Sequence, residues 1–241
     1  VRPVRSTAAS PKRTWTTGRR SIALSCATST TNASIVSASF TYGTDLATMK
    51  ELATYWRDGY DWRRQEVYLN SFPHYTAELD GEELTFIHVR GTGPDPIPLL
   101  LLHGWPDSVC RYLKLIPLLT DPASHGGDPG ICFDVVVPWL IGRYRGGSRA
   151  PRSGLFRHIA EQLWTLMTRE LGYQRFGAAG GDGGSVIAQL LGVHHPDSVL
   201  GVHLTDLGFM ISFAQFPDLS EAEQRYFGEL QGWSMQEGAY A

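Results

Sequence analysis

Three cysteines in 241 residues, Cys26, Cys110 and Cys132, are too few and too far apart for a disulfide framework or a zinc ribbon. They fit a reducing compartment. No stretch approaches the ~20 consecutive apolar residues that a membrane-spanning helix requires. The net charge of −3 lacks the basic excess of a nucleic-acid-binding surface. Acidic residues are missing altogether from residues 1–44, which hold six basic residues and 17 Ser or Thr. Such a segment buries too little to offset the entropy of ordering it. An Arg- and Ser-rich, acid-poor stretch has the composition of an organelle transit peptide, and a disordered tail has the same composition. The expected localisation is soluble and intracellular, with organelle targeting as the alternative.

From Phe40 onward the pattern is that of a folded domain. Leu46, Met49, Leu52, Ala53 and Trp56 have helical spacing, and a second helix is expected over Trp62–Leu69. His74–Leu79 and Leu84–Val89 flank Asp80-Gly81, a hairpin turn dipeptide. Leu99–Leu102 is a short, wholly apolar run, as in a strand buried on both faces of a parallel sheet, and Phe133–Val137 is expected to be another buried strand. Further strands are expected at Arg175–Ala179 and Val199–Leu204. Helices are expected at Asp107–Leu119, Leu155–Leu171, Ser185–His194 and Glu221–Gln231. Strands alternating with helices predict an α/β fold: a mostly parallel sheet with helices on its flanks. The expected divisions are 1–44 as leader, 45–95 as an N-terminal region, 96–210 as the α/β core and 211–241 as the start of a further region.

The sharpest local pattern is Gly180-Gly181-Asp182-Gly183-Gly184-Ser185, between an expected strand and an expected helix. Small residues two before and two after Asp182 match a nucleophile elbow, whose central residue sits on a strained turn at the C-terminal end of the sheet. The helix N-terminus that follows favours a negative charge there. A carboxylate nucleophile suits attack on sp³ carbon, as in an epoxide or alkyl halide, with an ester intermediate that water then hydrolyses. The second pattern is Leu99–Leu102 followed by His103-Gly104-Trp105-Pro106, a strand entering a tight loop. The backbone N–H groups of Trp105 and Gly183 are candidates for an oxyanion hole. His103 is expected to orient this loop, with Gly104 and Pro106 supporting it.

These two motifs, in this order, resemble the microsomal-type epoxide hydrolases. The segments Trp56–Asn70, Phe133–Pro138, Val199–Leu204 and Glu237–Tyr240 are similar to that family as well. The resemblance implies an α/β-hydrolase fold and hydrolysis of a small-molecule epoxide to a vicinal diol. It implies no metal, no organic cofactor and no nucleic-acid partner. Residues 45–95 would be the family's N-terminal region and 211–241 the start of its cap.

Several positions depart from the family pattern. Gly183 stands where the family has Trp, Asp107 replaces a Gly, and Ile141–Gly146 is a poor match to the family's Gly-Tyr-Gly loop. The family's ring-opening tyrosines, its charge-relay acid and its His base lie beyond the matched region and map onto no residue here. The chain is therefore expected to be C-terminally truncated, without most of the cap and the last strands, and unable to turn over. After Asp182 the histidines are His194, His195 and His203; the first two are expected to close a helix and the third to sit in a strand. Asp206 follows the Val199–Leu204 strand and is a candidate acid. Three alternatives remain: a haloalkane-type dehalogenase with the same nucleophile, a non-catalytic remnant, and a nucleotide-binding module built on Gly177, Gly180 and Gly183. The last would set a carboxylate beside phosphates, which Coulomb repulsion disfavours.

Overall fold

The computed structural model describes residues 5–6, 45–140, 154–205 and 219–237. Two units make up the chain, dividing between residues 207 and 208. The first holds helices α1 (Leu46–Asp58) and α2 (Trp62–Leu69) and seven strands among its described residues. The strands are β1 (Arg5–Ser6), β2 (His74–Leu79), β3 (Glu82–Val89), β4 (Ile97–Leu102), β5 (Phe133–Pro138), β6 (Phe176–Gly180) and β7 (Val199–Leu204). Between them run α3 (Leu115–Thr120), α4 (Leu155–Thr165) and α5 (Gly183–His194). The strand order is β1-β2-β3-β5-β4-β6-β7.

Sequence patterning explains the sheet's two halves. Asp80, at positive φ of 52°, and Gly81 close the β2–β3 hairpin, so this half is antiparallel. Strands β5, β4, β6 and β7 pair in parallel, because the connections from β4 to β5, β5 to β6 and β6 to β7 run through helical segments. The apolar residues of β3, β4 and β5 feed two cores. Leu100, Leu102, Val136 and Phe86 face α4 and α5, against Ile159, Leu163, Ile187 and Leu191. Their neighbours Leu101, Val135, Val137 and Ile87 face the other way, against Val109, Tyr112, Leu113 and Ile116. The period-two alternation of a pleated strand therefore covers both faces of the sheet.

The expected helix over Asp107–Leu119 is not continuous. A 3-10 turn (Val109–Arg111) and α3 replace it. Pro117 is the reason: it lacks an N–H and its ring clashes with a carbonyl four residues back, so a helix tolerates it only in the first turn. It sits third in α3. The helix expected through Leu171 is α-helical only to Thr165 and then widens into a π turn over Leu166–Glu170. In the second unit, α6 (Glu221–Glu237) extends past the expected Gln231. It starts with a capping box: Ser220 N–H and Oγ–H donate to Glu223 Oε2, and Glu223 N–H donates back to Ser220 Oγ. The expected leader, apart from Arg5–Ser6, the Ile141–Gly146 loop and Asp206 lie outside the described residues.

Candidate active site

The strand–turn–helix expected around Asp182 is formed by β6, a turn and α5. Asp182 has φ 54° and ψ −130°, a conformation that L residues rarely adopt and that costs on the order of 1–3 kcal/mol. The surrounding glycines explain how the turn closes. A Cβ on Gly180 would overlap the Gly184 carbonyl and stand 2.8 Å from Ser185 N; one on Gly184 would overlap the Leu102 carbonyl. Only residues without a side chain let the strand, the turn and the helix approach this closely. The Gly180 carbonyl is held by Thr205 N–H at 3.0 Å and by Ser185 Oγ–H at 3.0 Å.

The loop after β4 meets this turn. Trp105 N–H donates to Asp182 Oδ1 at 3.4 Å, and Gly183 N–H donates to the same oxygen. Gly104 is buried against Asp182, and a Cβ there would collide with its carboxylate. The Trp105–Pro106 peptide is cis, and both side chains are exposed. His103 is fully buried. Leu140 N–H donates to its Nε2 at 3.0 Å, which leaves Nδ1 to carry the proton and donate to the Gly104 carbonyl at 2.8 Å. Burial pushes the imidazole below its ordinary pKa, in keeping with this neutral tautomer. His103 thus links the β4 loop to the residues that follow β5.

The structure therefore brings Asp182, Gly183, Gly104 and Trp105 together, with His103 behind them. It does not bring the later histidines to that place. His194 and His195 close α5, at about 1.5 Å of rise per residue more than ~15 Å from Asp182, and His195 Nε2 pairs instead with Glu161 Oε2 at 3.0 Å. His203 lies in β7, paired with Ala179. The phosphate-cradle alternative loses donors here, because Gly183 N–H is turned onto the carboxylate of Asp182 itself and the N–H groups of Gly181, Gly184 and Ser185 donate to backbone carbonyls. Tyr112 was not picked out from the sequence, yet its hydroxyl donates to the Leu102 carbonyl at 2.8 Å, at the root of the loop. The signal for it was a lone tyrosine in the apolar stripe Val109, Tyr112, Leu113, Ile116, since a buried phenol needs a partner.

Comparison with known proteins identifies the family and the fold. The model "Epoxide hydrolase N terminus" matches residues 5–112. Epoxide hydrolase 1 of Oryctolagus cuniculus is 39% identical over 171 residues, 68% of this chain and 37% of its own length. The chain belongs to the epoxide hydrolase family. A Stigmatella aurantiaca protein, whose name also assigns it to the epoxide hydrolases, is 38% identical over 201 residues, 82% of this chain and 45% of its own. The chain spans less than half the length of these curated relatives. The structure of Aspergillus niger epoxide hydrolase shares the fold, with a TM-score of 0.64 at 24% identity over 98% of this chain and 61% of that one. The chain thus has the α/β-hydrolase fold. The family match begins at residue 5, inside the segment expected to be a leader.

Proposed function

We propose that this chain carries the nucleophile half of an epoxide hydrolase site, with Asp182 as the nucleophile. The observation that carries the reading is a carboxylate on a strained, glycine-walled turn whose Oδ1 is held by two backbone N–H groups, those of Trp105 and Gly183. With Oδ1 held, Oδ2 is the attacking oxygen. It forms a C–O bond to one epoxide carbon while that carbon's bond to the ring oxygen breaks. The ring oxygen leaves as an alkoxide and takes a proton from solvent water, releasing hydroxide. The product is an ester with Oδ1 as its carbonyl oxygen.

Hydrolysis returns the enzyme. Water adds to the ester carbonyl, negative charge collects on Oδ1, and the Trp105 and Gly183 amides stabilise it; collapse expels the diol. Backbone donors on a rigid turn are already oriented when this charge develops, which is the condition for such stabilisation. His103 and Gly104 support the loop that presents Trp105 N–H, while Gly180, Gly181 and Gly184 let the turn close. Asp206 remains a candidate for the charge-relay acid. The base that activates water is not supplied by His194, His195 or His203, given their places on α5 and β7. Nothing favours the dehalogenase chemistry over the epoxide.

The test uses styrene oxide and intact-mass spectrometry. The expected result is a slow gain of one epoxide mass that maps to the peptide containing Asp182, with no multiple-turnover diol from a polypeptide of these 241 residues. Sustained diol release by that polypeptide would contradict the assignment of the histidines.

A further inference from the structure

The Leu102 carbonyl lies where three parts of the site meet. It ends β4, immediately before His103 and Gly104. It accepts a long hydrogen bond from Gly181 N–H, at 3.3 Å, in the turn that bears Asp182. The first turn of α5 passes so close that a Cβ on Gly184 would overlap it. A carbonyl oxygen has two acceptor positions, and the Tyr112 hydroxyl fills the second at the shorter distance of 2.8 Å.

From these contacts we infer that Tyr112 is a positioning residue for the nucleophile, acting through the tilt of the Leu102–His103 peptide. Trp105 N–H is three residues further along the same loop, and its reach to Asp182 Oδ1 is already 3.4 Å. A small rotation of the Leu102 peptide carries the loop with it and lengthens that contact beyond hydrogen-bonding range. Tyr112 is well placed to resist such a rotation. Its side chain is buried in the core cluster that includes Leu101, Val109, Leu113 and Val137. Its backbone is fixed on both sides: its N–H donates to the Val109 carbonyl at 3.0 Å, and its carbonyl accepts from Leu115 and Ile116 N–H, each at 2.9 Å. The phenol is thus a rigid strut from the far face of the sheet to the root of the loop. Burial pushes its pKa up to about 12, so it stays a donor across the working pH range.

The inference rests on the reading of Asp182 as nucleophile, and the test separates the two. Tyr112→Phe removes one oxygen and leaves the ring's packing in place. Ile159→Val, in the core on the other face of the sheet, serves as a control for a modest loss of stability. Both variants are expected to lower Tm by about 2–4 °C. Two readouts follow: the rate and concentration dependence of Asp182 labelling by styrene oxide, and deuterium exchange in segments 102–105 and 180–184. For Tyr112→Phe the limiting labelling rate should fall roughly ten- to a hundredfold with the half-saturating epoxide concentration unchanged, the pattern of a misplaced reacting group. Exchange should accelerate in those two segments and not in β5 or α4. Ile159→Val should change neither readout.

If the wild-type Asp182 takes no label, the functional reading fails and the inference falls with it. If wild type is labelled and Tyr112→Phe is labelled equally fast, only the inference falls. It also falls if exchange in the two segments is unchanged, or if Ile159→Val slows labelling as much as Tyr112→Phe does.

Discussion

Adding one methyl group at four different glycines should give graded outcomes, because the structure surrounds them differently. At Gly184 the new Cβ would overlap the Leu102 carbonyl and lie 3.0 Å from the His103 carbonyl. At Gly180 it would overlap the Gly184 carbonyl and lie 2.8 Å from Ser185 N. Both obstacles are backbone, so neither can rotate away; strand β6 or helix α5 must shift. Overpacking of this kind costs typically about 1–3 kcal/mol and more where backbone must move. Gly177→Ala meets the Leu99 Cδ1 at 3.3 Å, the tip of a side chain that can turn, and the Pro98 carbonyl at an ordinary 3.9 Å, and should cost under about 1 kcal/mol. Gly201→Ala in β7 meets nothing within 4 Å and should raise stability by about 0.4–1 kcal/mol by restricting the unfolded chain. At about 2–4 °C per kcal/mol, the spread between Gly201→Ala and Gly184→Ala should exceed about 5 °C in Tm. Urea midpoints provide the second measure. Equal melting of Gly184→Ala and Gly201→Ala would refute the close approach of turn and strand on which the site depends.

Other predictions concern the opposite end of the sheet, where His88, Arg90, Asp134 and Tyr173 form one network. Burial, reinforced by Arg90, pushes His88 down to about 4, so the folded state resists a proton that the unfolded state accepts near 6.5. This contribution, about 3 kcal/mol, is full above pH 6.5 and disappears as pH falls toward 4; a urea titration across that range should show it, and His88→Gln should flatten the slope. Asp134 is buried, and although burial alone would raise its pKa, bonds from Gly91 N–H, Tyr173 and Arg90 hold it below the carboxylate norm. Asp134→Ala should cost about 1–3 kcal/mol by chemical denaturation, since it removes the buried carboxylate that the part-buried Gly91 N–H and Tyr173 hydroxyl donate to. Arg90→Ala should cost about 1 kcal/mol or less, because 64% of its side chain is exposed to solvent.

The central strands were legible because each is a short apolar run bounded by turn signals, and the turn at Asp182 because glycines flank a carboxylate between a strand and a helix. Leu155–Leu171 was legible as a helix, but its π turn left no mark in the periodicity. The break before α3 was encoded in Pro117, whose effect a pattern of apolar spacing overrides unless the missing N–H is counted. The ties that set the site's geometry were hidden for a different reason. His103 meets Leu140, 37 residues away, and Arg90 and Tyr173 meet at Asp134 from three distant segments. Such contacts depend on strand order, which local sequence does not specify. Tyr112 and Leu102 are only ten residues apart, yet their bond exists because the 3-10 turn, and not a continuous helix, follows the loop.

Peptide mapping after exposure to styrene oxide, on the wild-type chain and Asp182→Asn side by side, addresses the central claim most directly. The account predicts one ester per chain on Asp182 in the wild type and none at that position in the variant, with both proteins melting cooperatively. Absence of label on wild-type Asp182, or equal labelling of the Asn variant, would contradict it.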